Sequence, residues 1–166
     1  MSSKKCRVKP TDLDLQWDCA MRVLKKVRPQ QTLHLWNDTA ITCDMFFRLS
    51  REIRQITLTP QPVFGDKEVQ ATLKQRIDGT GLIYYVIEIK EVLPFEEQVL
   101  CFLHELAHIA VWKGEFILPL MWKEDDVEWF VELLAVKYLE TCDYYVYSRY
   151  LQYFPIAYTK HLLSTL

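Results

Sequence analysis

The spacing of hydrophobic residues changes twice along this chain, and that change limits what it can build. From Thr11 to Arg28 the spacing is helical: Leu13, Trp17, Ala20, Met21, Leu24 and Val27 share one face. Thr11 stands as the cap, Asp12 and Asp14 lie in the positive first turn, and Pro29 ends the segment. A second helix is expected from Asn37 or Asp38 to about Ile53. Its inner face would carry Ile41, Met45, Phe46, Leu49 and Ile53, and its solvated end Arg48, Arg51 and Arg54.

The period then drops to two. Ile56 and Leu58 alternate with threonines before Pro60, and Val69, Ala71 and Leu73 alternate with polar residues up to Arg76. Asp78-Gly79-Thr80-Gly81 supplies the positive-φ residues of a hairpin, and Leu82 to Lys90 is the most apolar, β-branched run of the chain. A small, mainly antiparallel sheet is the expectation. Helical spacing returns after Pro94, with Val99, Leu100, Leu103, Ala107 and Val111 closed by Gly114. A last helix opens near Asp125 or Asp126 and carries Val127, Phe130, Val131, Leu134, Ala135, Tyr138 and Leu139. Helices around a sheet, with no internal repeat and no dividing linker, make an α+β fold in a single domain spanning residues 1–166.

At 166 residues such a chain buries enough surface to need no metal or disulfide staple, so a metal site would serve chemistry. Lys plus Arg number 20 against 22 for Asp plus Glu, a net charge of -2, which supplies no basic surplus for nucleic acid. Five scattered cysteines, Cys6, Cys19, Cys43, Cys101 and Cys142, show no C-x-x-C spacing and fit a reducing compartment. No apolar run approaches a membrane span, and MSSKKCRVKP lacks an apolar signal core, so a cytoplasmic protein without a membrane partner is expected. Oligomeric state is not encoded in these patterns.

The helix after Pro94 contains His104-Glu105-Leu106-Ala107-His108, the H-E-x-x-H pattern. Histidines four residues apart lie one turn apart on one helical face, close enough to share a tetrahedral zinc ion. Glu105 projects beside them, where it can take a proton from water activated by the metal and pass it to a leaving amine. The alternative is an amphipathic helix whose polar stripe happens to hold these residues. Against it, both histidines border the apolar stripe of Leu103, Ala107 and Val111, where rings without a ligand would need other partners.

A catalytic zinc needs a third protein ligand and an open position. The elongated motif with glycine at position 111 and histidine at 114 is excluded by Val111 and Gly114. A carboxylate from the last helix remains. Glu128 lies 20 residues beyond His108, and Glu132 follows one turn later on the same face. Glu128 is the candidate ligand, with Glu132 placed to accept the second ring N–H of a ligating histidine. Spacing alone leaves the reverse assignment open. Glu124, Asp125 and Asp126 read as first-turn helix charges.

In these features the chain resembles the gluzincins, and more narrowly the small zincin-like ImmA/IrrE-type metallopeptidase domains. The resemblance rests on YYVIEIKEVLP, FEEQVLCFLHELAHI and VEWFVELLAVKYL and covers about residues 80 to 140. Ala107 stands where that family's core motif has glycine. The resemblance implies a zinc-dependent endopeptidase acting on protein or peptide, with His104 and His108 as ligands, Glu105 as general base and acid, and Glu128 or Glu132 as third ligand. It also implies a substrate held extended beside the strand within Leu82 to Lys90. Thermolysin-like enzymes share the order of acidic residues, which implies the Glu128 phase. An oxyanion donor is to be sought in His161, Tyr144, Tyr145, Tyr147, Tyr150, Tyr153 and Tyr158, although such tyrosines more often pack a terminal helix. The alternatives to a peptidase are a non-catalytic zincin-like protein-binding module and a zinc hydrolase of a non-peptide amide.

Overall fold

The computed structural model describes residues 2–3, 13–27, 45–46 and 48–141. Its sheet is organised around β6 (Ile83–Lys90), in which Tyr85, Ile87 and Ile89 alternate inward. On one side β6 pairs antiparallel with β5 (Ala71–Ile77), and on the other it pairs parallel with β2 (Ile53–Thr59). β1 (Ser2–Ser3) lies antiparallel on the outer edge of β5, so the order across the sheet is β1-β5-β6-β2. Val63–Phe64 and Lys67–Glu68, β3 and β4, form a separate small hairpin through Gly65, whose φ of 62° suits the turn.

The architecture is α+β, and the four-stranded sheet is mixed: two of its three pairings are antiparallel, in line with the expectation, and the pairing of β2 with β6 is parallel. The reason lies in the connections. Residues 60–70 stay at one end of the sheet, where Thr59 and Ala71 flank the C-terminal end of β6 opposite Lys90 and Ile89. β2 and β5 are therefore antiparallel to one another with a gap between them. The tight turn at 78–82 folds β6 back into that gap, which makes it parallel to β2. Asp78 holds this turn: its Oδ1 accepts from the Thr80 hydroxyl (2.6 Å), the Thr80 N–H (2.8 Å) and the Leu82 N–H (3.0 Å). These bonds, the Thr80 hydroxyl first, hold its carboxyl far below the ordinary range.

The helix expected to reach Ile53 ends earlier. Residues 48–50 are helical, Arg51 and Glu52 donate backwards to Arg48 and Leu49 in a turn, and Ile53 opens β2. Ile53 is buried under either periodicity, so its burial could not distinguish the two. Arg54 consequently leaves no helix end; it pairs with Asp78 at 3.2 Å and lies over the Tyr84 ring. Val69 also falls outside its expected strand. The first three residues of β5, Ala71, Thr72 and Leu73, are all buried instead of alternating.

Helix α2 (Phe95–Trp112) begins after Pro94 and ends where Gly114 takes a φ of 75°. Every side chain from Cys101 to Ala110 is buried. It packs on β6, β5 and β1, and also against α3 (Glu124–Thr141), which in turn meets α1 (Leu13–Val27). Trp17, Ala20, Met21 and Leu24 of α1 are buried as the helical spacing predicts. The Trp129 N–H donates to Gln16 Oε1 at 2.9 Å, tying α3 to α1. Phe116 meets Phe130 and Trp122 meets Trp129 edge to face, Trp122 is tilted against Phe130, and Trp112 meets Tyr85, so these aromatic residues pack against one another. Cys19 and Cys101 are free thiols; Cys6, Cys43 and Cys142 lie outside the described residues, as does Trp36. No helix among the described residues is long and apolar enough to cross a membrane.

Candidate metal centre

Burial on all sides makes polar groups on α2 costly, yet three of the ten residues from Cys101 to Ala110 are His104, Glu105 and His108. The helical rise sets the two imidazoles one turn apart, with ring centroids 4.9 Å apart and planes inclined at 65°. Both Nε2 atoms turn toward α3. There Glu128 meets them with its two oxygens: Oε2 is 3.0 Å from His104 Nε2, and Oε1 is 2.9 Å from His108 Nε2. Asp126 fixes the start of that helix by accepting from the Lys123 N–H at 3.0 Å while Lys123 O receives the first helical N–H groups, half of a capping box. Glu124 and Asp125 share the acidic first turn, as anticipated.

The donor atoms of His104, His108 and Glu128 lie within 4.8 Å of one another, a grouping that among the described residues includes Glu128 and leaves out Glu132. Ligands at about 2.0–2.1 Å from a tetrahedral zinc stand roughly 3.3 Å apart. The separations of 3.0 and 2.9 Å run to the two different oxygens of Glu128 and are a few tenths of an ångström shorter than that edge length, as direct imidazole–carboxylate contacts are. Two imidazoles and a carboxylate form a donor set suited to zinc that leaves a fourth tetrahedral position open.

Two further observations fit a cation. His108 is fully buried, and neither of its ring nitrogens has a hydrogen-bond partner; the approach of Nε2 to Glu128 is close but misaligned. Glu105 is also fully buried, and neither carboxylate oxygen has a hydrogen-bond partner. A buried carboxylate without partners is expensive unless something polar faces it. Accordingly, burial and then the nearby Glu128 charge push the Glu105 carboxyl well up, against a smaller pull from the amino-terminal ammonium.

His104 and Glu128 shift in ways that suit ligation. Burial lowers the pKa of His104, which favours the neutral ring a metal requires; a hydrogen bond to Glu128 opposes this. Burial raises Glu128, but its contacts with His104 and His108 outweigh that effect and bring it down to about 2. Glu132, one turn deeper, is 7% exposed and acts on His104 through its charge. The oxyanion candidates, His161 and the six tyrosines from Tyr144 to Tyr158, lie outside the described residues.

One positional expectation needs correction. The strand within Leu82 to Lys90 has both edges hydrogen-bonded, to β5 and to β2, so no peptide can add beside it. Its apolar, β-branched composition marked it correctly as a strand, but composition carries no information on which strands become neighbours. Compared with known proteins, the chain matches no family model, no curated protein and no solved structure.

Proposed function

We propose that this chain is a zinc-dependent endopeptidase of gluzincin type with a zincin-like fold, acting on protein or peptide substrates. The observation that carries this reading is the fully buried, partnerless Glu105 carboxylate adjacent to the convergent group His104, His108 and Glu128. Those three residues would hold the ion. When bound, zinc supplies a Lewis acid that brings the pKa of water near neutrality and polarises a carbonyl.

The chain's own residues do the rest. His104, whose neutral ring burial favours, and His108 are fixed by a rigid buried helix and orient the site with little conformational freedom to lose. Glu128 offers a charged oxygen without needing deprotonation at neutral pH. Glu105, acting as the carboxylate, accepts a proton from the attacking water and holds it at a carboxylate oxygen, the protonated form that its burial favours. It then delivers the proton to the departing amine nitrogen. Glu132 bears on His104 electrostatically and supports its orientation.

The test is Glu105→Gln. Zinc content per chain should stay unchanged while kcat on a quenched peptide library falls by about 10²–10⁴-fold. Full retained activity in a zinc-loaded variant would overturn the role of Glu105.

A further inference from the structure

The connection from α2 to α3, residues 113–123, is more apolar than its packing requires. Phe116 is buried against Phe130, and Trp122 packs on Trp129 and Phe130, so both ends of the segment are pinned to the core. Between them the Trp122 N–H donates to Pro119 O at 3.1 Å and closes a turn. That turn holds two large side chains out in solvent: Leu120 is fully exposed, and Met121 is 83% exposed. Neither contributes to the core, so packing does not account for an adjacent apolar pair at this place.

The surroundings of the pair are acidic. From Gly114 to Val127 the chain carries four carboxylates, Glu115, Glu124, Asp125 and Asp126, against one cation, Lys123. Arg48 pairs with Glu115 at 3.7 Å, so negative charge gathers on the exposed first turn of α3. Glu124 and Asp125 stand four and three residues before Glu128, on the helical face that carries the candidate centre. The Glu128 side chain is 15% exposed while those of His104 and His108 are buried, so the centre meets solvent beside that turn.

We propose that Leu120, Met121 and the acidic first turn of α3 form a docking ledge for a cationic, apolar peptide segment of another protein. Apolar side chains of the segment cover Leu120 and Met121, and its lysines or arginines face Glu124 and Asp125. Those carboxylates repel anionic bilayers and nucleic-acid phosphates, which selects a basic peptide as the occupant. Methionine adapts its shape to different partners, and a turn pinned at both ends has little freedom to lose on binding. That the segment belongs to a substrate rests on the peptidase reading; the docking itself does not.

The test titrates the full-length protein, in chelator, against the fluorescent peptide Lys-Leu-Leu-Lys-Lys-Leu-Leu-Lys and an analogue with glutamate in place of every lysine, followed by anisotropy. The parent should bind the lysine peptide at least about tenfold more tightly than the glutamate one. Leu120→Ser/Met121→Ser should weaken that binding about tenfold, with circular dichroism unchanged. Glu124→Gln/Asp125→Asn should weaken it about threefold and reduce its sensitivity to salt. No binding by the parent, no preference between the two peptides, or parent-like binding by either variant would overturn the proposal. A parent dimer that Leu120→Ser/Met121→Ser converts to monomer in light scattering would assign the ledge to a second copy and overturn it. So would binding to phosphatidylserine vesicles that the same variant abolishes. In the zinc-loaded protein, the serine variant should raise KM about tenfold for a cleavable peptide extended by the lysine segment, with kcat unchanged, and leave KM unmoved without the extension. Docking that the variants weaken in a protein that cleaves nothing would sustain the ledge and count against the peptidase.

Discussion

Glu105 is the residue whose ionisation the fold opposes most directly. In the metal-free protein its pKa is raised above the ordinary value of 4.5, so its contribution to stability is present below that value and is lost as pH rises through the raised pKa. His104 has the opposite sign. Its pKa is lowered from 6.5, so its contribution is present above 6.5 and is lost as pH falls through the lowered value. Urea denaturation in chelator should therefore show a stability maximum with an acidic and an alkaline limb. Glu105→Gln should flatten the alkaline limb and leave the acidic one. Identical limbs in both proteins would show that Glu105 is not the strained acid. The histidines and Glu105 were legible in the sequence because one helical turn fixes their relation. Glu128 was legible as a candidate, since two glutamates one turn apart differ only in helix phase, and phase depends on how α3 docks. The missing hydrogen-bond partners of Glu105 and His108 were not legible, because they depend on burial by segments distant in sequence.

At the scale of elements, the site depends on α2 stopping in time for the chain to return as α3. Gly114 makes that stop with a φ of 75°, and a Cβ there would meet no neighbouring atom, so a substitution is strained only through the backbone. Gly114→Ala should cost about 1 kcal/mol, lowering Tm by about 2–4 °C without changing zinc stoichiometry. An unchanged Tm by differential scanning calorimetry would contradict the positive-φ stop. Elements with one dominant period were readable in advance: α1 from Trp17, Ala20, Met21 and Leu24, and α2 from Pro94 to Gly114. The boundary at Ile53 was not, because a single buried isoleucine satisfies helix and strand alike. The β3–β4 hairpin was too short to show a period. The parallel pairing of β2 with β6 follows from the path of residues 60–70 around the end of the sheet, which alternation does not report.

For the whole molecule, the candidate centre is a clamp between α2 and α3, and α3 is in turn tied to α1 through Trp129 and Gln16. A ligand that binds only the folded state adds stability by mass action, about 4 kcal/mol at a thousandfold excess over Kd. Removing zinc from the saturated protein with a chelator should therefore lower Tm by roughly 8–16 °C, and adding zinc back should restore it. Proteins in which Glu128 is replaced by alanine should lose most of that shift. A Tm indifferent to chelator would mean that no ion joins the helices. The most direct measurement is anomalous diffraction at the zinc edge from crystals of the zinc-loaded protein. The account predicts one peak about 2.0–2.2 Å from His104 Nε2, His108 Nε2 and a Glu128 oxygen, with a non-protein ligand completing the tetrahedron. A peak elsewhere, or no peak with Glu128 still bridging the two imidazoles, would contradict it.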